Sequence, residues 1–291
     1  MTPFFECSYE GERFVCFDDT PPGEPLLLFP APADTALALL DAGGSPDAFA
    51  EAVRGAGPGR LIPAAARGSV RPRPPVLPDA PGTAVAGGFM QTHNVKVAAE
   101  GEAAGPEHPN WFFKGPGSAL RVCGEPLGVP AGSVAICEEA EVVLVYRTDE
   151  KGEPAYLGHT FGNDLTDIGR FRQNRAHLSY AKLCEASVSP WFFPGEPPRR
   201  VTGRVTVERA GRTAWEGEFR TGLDALHYPV ESMTGNLFSH PGLRVPGTVH
   251  YVFLGADRSS FHAGFTIVDG DVLSLEFPDH GVTVTNPVHW L

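Results

Sequence analysis

The chain has 291 residues, 42% apolar and 10% aromatic, enough for one large core or two unequal domains that fold without staples. Its formal charge of −12 argues against a nucleic-acid partner, since the one basic cluster, Arg170 to Arg175, is short, and no apolar run approaches the ~18 residues that a membrane span needs. Five scattered cysteines (Cys7, Cys16, Cys123, Cys137, Cys184) without a C-x-x-C pair suggest neither a disulfide framework nor a zinc site, and with an N-terminus without a signal pattern they fit a reducing cytoplasm.

With 34 Gly and 29 Pro, many short strands are expected. Phe4 to Tyr9 and Arg13 to Phe17 read as a hairpin across Glu10-Gly11-Glu12. Asp34 is placed to N-cap a helix over Thr35 to Leu40, and Ser45-Pro46-Asp47 precedes a second over Ala48 to Arg54. From Gly57 to Gly82 the composition turns to proline, glycine and arginine, an extended connection that puts a domain boundary near residue 76. Residues 1–75 then form an N-terminal lobe with its linker, and residues 76–291 a larger domain.

Val85 to Met90 reads as a strand leading to His93, and Trp111 to Gly115 as another, carrying Lys114. In Ile136 to Tyr146 a strand puts Glu139, Glu141, Val143 and Val145 on one face. Adjacent buried carboxylates repel and are costly to desolvate, so a cation is expected between them. Asp164, after the β-like run Ala155 to Phe161, adds a third oxygen ligand, and the set suits Mg²⁺, with Mn²⁺ or Ca²⁺ as alternatives. An isolated E-x-E more often describes an edge strand with both side chains in water. Val201 to Glu208 and Thr213 to Arg220 form a hairpin around Ala210-Gly211-Arg212, read as architectural, and Met233 to Phe238 a short helix.

The order E-A-E-V-V-L-V (139–145), G-N-D-L-T (162–166), A-K (181–182) and S-P-W (189–191) resembles the fumarylacetoacetate hydrolase family. The resemblance runs from about Gly87 to the end, roughly seven tenths of the chain, where P-G-T-V (246–249), D-G-D-V (269–272) and T-N-P-V (285–288) look like the family's closing segments. It implies an α+β, β-rich fold of rolled mixed sheets with a small N-terminal lobe, and a homodimer. It also implies metal ligands at Glu139, Glu141 and Asp164, and catalytic roles for His93 as general base or water-orienting group and for Lys182 as stabiliser of developing negative charge. Substrate contacts are implied at Lys114, Thr166 and, in place of an arginine that the family carries just after its aspartate, Arg170 or Arg172.

Three departures accompany it. Lys96 stands where active hydrolases have a glutamate, for which Glu100 or Glu102 could substitute. Gly115 replaces a usual proline. The loop that is commonly T-G-T-P is replaced within Val252 to Ala256, leaving Ser259, Ser260 or His262 to stand in for a missing threonine hydroxyl.

A 2-oxo acid or 1,3-dicarbonyl chelating such an ion becomes electrophilic, and its adjacent carbanion less costly. The resemblance therefore implies first a Mg²⁺-dependent C–C hydrolase or lyase of a small oxo acid. Second comes a dehydratase of a 2-keto-3-deoxy sugar acid, and third a silent metal-binding relative that serves as a binding protein.

Overall fold

The computed structural model describes residues 2–17, 20–21, 23–99 and 107–291. It opens on the hairpin of β1 (Phe4–Tyr9) and β2 (Glu12–Cys16), where Glu10 and Gly11 take φ of 52° and 84°, the left-handed pair that matches strand twist. After β3 (Leu26–Pro30) come α1 (Thr35–Asp41) and α2 (Pro46–Ala56). The Asp34 and Ser45 side chains accept from the N–H groups of Leu37 and Ala48, so both helices begin at their expected caps. The proline-rich connection is extended, as its composition predicts, but also paired: β4 (Arg60–Ile62) lies on β3, and β5 (Arg71–Pro72) on β1.

The rest of the chain begins with β6 (Ala84–Met90), α3 (Asn94–Ala99), β7 (Asn110–Pro116), β8 (Leu120–Arg121) and β9 (Leu127–Val129). The long hairpin of β10 (Ala140–Thr148) and β11 (Pro154–Asp164) leads to α4 (Ile168–Gln173), α5 (Leu178–Ala181), β12 (Ala186–Val188) and β13 (Trp191–Phe192). A second long hairpin, β14 (Val201–Arg209) and β15 (Arg212–Thr221), is followed by α6 (Val230–Phe238), β16 (Val249–Phe253), β17 (Val272–Phe277) and β18 (Val282–Trp290).

Among the described residues three sheets result. The central one runs β7-β6-β16-β10-β11-β12-β8, with parallel pairs at β16/β6 and β12/β8. A second runs β15-β14-β17-β18-β9, and the N-terminal strands form a third that is completed by β13, with Phe4 opposite Phe192. The unbroken apolar run of β10 marks a strand covered on both faces. Val142 and Leu144 pack with Val205, Leu273 and Val284 of the second sheet, and Val143 and Val145 with Phe4, Val15 and Phe49 of the N-terminal part. The architecture is α+β and strand-rich, with curled mixed sheets. Among the described residues no helix is long and apolar enough to cross a membrane, and no disulfide joins the five cysteines.

Candidate active site and metal centre

The β10/β11 hairpin brings the three acidic residues together. Glu141 is the second residue of β10, Asp164 the last of β11, and Glu139 sits one residue before β10, where the pairing persists through the Asp164 N–H donating to Glu139 O at 3.0 Å. Gly162, opposite Glu141, permits the close approach. A Cβ there would lie 2.6 Å from Ser187 O and 2.9 Å from the Phe253 ring. One carboxylate oxygen from each of Glu139, Glu141 and Asp164 lies within 4.8 Å of the others, and all three side chains are buried.

Two buried lysines compensate this charge. Lys182, the C-cap of α5, donates from Nζ to Glu139 Oε2 at 2.6 Å, to Thr166 Oγ1 at 2.8 Å and to Asp164 Oδ2. Lys114, on β7, lies 2.6 Å from Asp164 Oδ1 and also donates to Leu165 O. The surface position usual for a lysine ending a strand is overridden by this buried carboxylate. Lys96 reaches within 3.5 Å of Glu139 Oε1.

Burial works against the Glu139 carboxylate, but Lys182 and Lys96 outweigh it and bring its pKa down to about 2. Burial, together with the charges of Asp164 and Glu139, pushes Glu141 well above the usual carboxylate range. Burial alone would lower Lys182, yet Asp164, Glu139 and Glu141 raise it, so it stays cationic and cannot act as a base near neutral pH. Glu141 Oε2 accepts the Gly255 N–H at 2.6 Å, while its buried Oε1 has no partner. Three converging hard oxygen ligands, one of them otherwise unsatisfied, fit Mg²⁺, Mn²⁺ or Ca²⁺.

A cavity of about 960 Å³ opens beside this group, and Glu139, Lys96, Arg172, Trp215, Asp257 and His262 line it. His93 lies outside that lining. It is buried, Nδ1 is 3.1 Å from Thr92 Oγ1 and Nε2 3.1 Å from Thr221 Oγ1, and burial followed by the Lys96 charge lowers its pKa to about 4. Arg170 is also held away from the cavity, its Nε 3.2 Å from Asp167 Oδ2 and an Nη donating to Gly132 O at 2.9 Å. Of the two expected arginines, Arg172 is the one on the wall, 5.3 Å above the Phe261 ring. Thr166 is engaged with Glu139 Oε2 at 3.0 Å and with Lys182, so its hydroxyl orients those groups. Glu100 and Glu102 lie outside the described residues.

Among the stand-ins for the missing hydroxyl, Ser260 is committed to Glu138, donating to it from N and Oγ at 2.6 Å each, while Ser259 and His262 reach the cavity. Sequence reasoning passed over Glu138, whose pKa burial raises to about 7, and Asp257, whose Oδ2 accepts the Arg220 N–H at 3.1 Å while its buried Oδ1 has no partner. The triple acid E-E-A-E was the available signal for Glu138; Asp257 had none.

The sheets form a β-rich α+β fold, and the acidic triad forms a buried carboxylate cluster at the edge of a cavity. No protein-family model matches the sequence, and no curated protein matches it. Solved structures with this fold do. A 2-keto-3-deoxyarabinonate dehydratase superposes with a TM-score of 0.73 at 15% identity over 99% of both chains. A 2-keto-3-deoxy-D-arabinonate dehydratase complexed with magnesium and 2,5-dioxopentanoate gives 0.71 at 16% over the same shares. A 2-hydroxyhepta-2,4-diene-1,7-dioate isomerase from Mycobacterium marinum gives 0.60 at 18%, over 100% of this chain and 99% of the isomerase. At these identities the likeness is one of fold.

Proposed function

We propose that the chain is a Mg²⁺-dependent lyase that removes water from a small hydroxylated 2-oxo acid, with Glu139, Glu141 and Asp164 as ligands. The carrying observation is the buried convergence of three carboxylates with an unsatisfied oxygen at Glu141. When bound there, the ion supplies Lewis-acid polarisation of the oxo group and stabilises an enolate. Lys182, buried and held cationic by Asp164 and Glu139, adds electrostatic stabilisation beside it, and Lys114 and Thr166 hold Asp164 and Glu139 in place. Lys96 and Arg172 supply positive charge on the cavity wall for a substrate carboxylate.

Dehydration is favoured over C–C hydrolysis on two grounds. His93, the candidate for activating water, is engaged by two hydroxyls outside the cavity lining, and Asp257 puts a carboxyl on the cavity wall to meet a substrate hydroxyl. The solved dehydratases with this fold, one of them holding magnesium, support the same reading. C–C cleavage of an acylpyruvate is the second reading, supported by the common enolate intermediate. A cytoplasmic homodimer without nucleic-acid or membrane partners completes the proposal; a sedimentation mass equal to one 31.1 kDa chain removes the dimer.

The test is incubation of the purified protein with 2-keto-3-deoxy acids, acylpyruvates and oxaloacetate, with Mg²⁺ or with EDTA. EDTA-sensitive loss of water from the hydroxylated acids is expected. Turnover of acylpyruvates alone selects C–C hydrolysis, and no turnover with Mg²⁺ still bound selects a binding protein.

A further inference from the structure

The turn at Ser260–Ala263 carries His262 onto the cavity wall, beside Lys96, Arg172 and Glu139. The Ser259 N–H donates to His262 Nδ1 at 3.2 Å, and Ser259 Oγ is 3.0 Å from the same nitrogen. A backbone N–H only donates, so Nδ1 is the acceptor, and the neutral ring must carry its proton on Nε2. The mount is firm: Ser260 is fixed to buried Glu138 by two bonds, the His262 N–H closes on Ser259 O at 3.0 Å, and Gly264 ends the turn at φ 79°. Among the described residues Nε2 has no hydrogen-bond partner.

We propose that His262 is a tautomer-locked neutral imidazole whose Nε2–H binds a carboxylate oxygen of the oxo acid, a donor that positions the substrate and never its proton acceptor. The inference rests on the oxo-acid reading above. The charged groups facing the ring are Lys96 from α3, Arg172 from α4 and Glu139 from the start of the β10 hairpin; burial first, then Lys96, lowers the ring's pKa despite Glu139. A neutral donor between two cations suits an anionic oxygen, and it leaves the ring without a lone pair on the cavity side to take a proton from carbon.

The experiment uses the full chain labelled with ¹⁵N-histidine and two-bond ¹H–¹⁵N spectra at pH 7, with His262→Gln to assign the ring. A neutral ring protonated on Nε2 is expected, with that nitrogen shifted by oxalate in the presence of Mg²⁺. Calorimetry should find oxalate with Mg²⁺ bound about tenfold more weakly by His262→Ala, with part of the loss restored in His262→Gln, whose amide N–H reaches a similar position. A proton on Nδ1, a charged ring at pH 7, or wild-type oxalate affinity in His262→Ala overturns the role alone. Wild-type protein that binds Mg²⁺ but no oxalate overturns the oxo-acid reading and this role with it.

Discussion

At Glu141 one oxygen is held by a backbone N–H and the other by nothing, in a carboxyl whose pKa burial and two neighbouring charges raise. Those surroundings favour the neutral form of the side chain. Glutamine is the neutral isostere of this state, so Glu141→Gln should leave the unfolding midpoint within about 0.5 kcal/mol of wild type while weakening Mg²⁺ by on the order of a hundredfold or more by calorimetry. Unchanged Mg²⁺ affinity would remove the metal centre. The three acids were legible because their motif order is distinctive. Lys114 was less legible, because a lysine near the end of a strand usually reaches water, and here a buried aspartate draws it inward. The assignment of Arg170 failed on a local competitor, since Asp167 three residues back in the same turn of chain captures its guanidinium.

The elements that build the site differ in how much of themselves they announce. Hairpins were readable from turn chemistry: Glu10-Gly11 and Ala210-Gly211 both hold the left-handed pair that a two-residue connection requires. That β15 would bring Trp215, Glu216 and Glu218 to the cavity had no local signature, because the position of an edge strand relative to another sheet is set by packing across the molecule. The strand-to-loop step after β16 is a tight joint. Gly255 takes φ 86°, its N–H holds Glu141, and a Cβ would stand 2.3 Å from Thr92 Oγ1. Gly255→Ala should therefore lower stability by about 2 kcal/mol in urea unfolding and weaken Mg²⁺ as Glu141 is displaced. Wild-type values for both would show that this joint does not position the carboxylate.

Across the whole molecule the buried histidines tie stability to pH. Burial, the leading cause for each, lowers His93, His159 and His250 to about 4. Their folded pKa values lie below the unfolded value of about 6.5, so the unfolded chain takes up protons first, and stability present above pH ~6.5 is lost as pH falls towards ~4. Each ring contributes a slope of up to about 1.4 kcal/mol per pH unit in that window. His159 stacks on Phe193 at 5.4 Å with Nδ1 unpartnered, so His159→Phe should flatten the acid limb of a urea-midpoint-against-pH curve without changing it above pH 7. An unaltered acid limb would assign the loss to other groups.

The boundary near residue 76 was drawn on composition, which reports where the chain is extended but not which cores it joins. Phe4, Val15 and Phe49 share one apolar cluster with Val143, Val145 and Tyr251 of the central sheet. The outer edge of the first strand is covered by β5 at Cys7 and Ser8 but by β13 at Phe4 and Phe5, so Phe4 must wait for Phe192, about 190 residues later in synthesis and at ordinary ribosomal speeds roughly 10–40 s behind it. Until then the nascent chain carries an open strand edge and a set of bare phenylalanines. That end of the N-terminal sheet is therefore completed only after β13 has emerged.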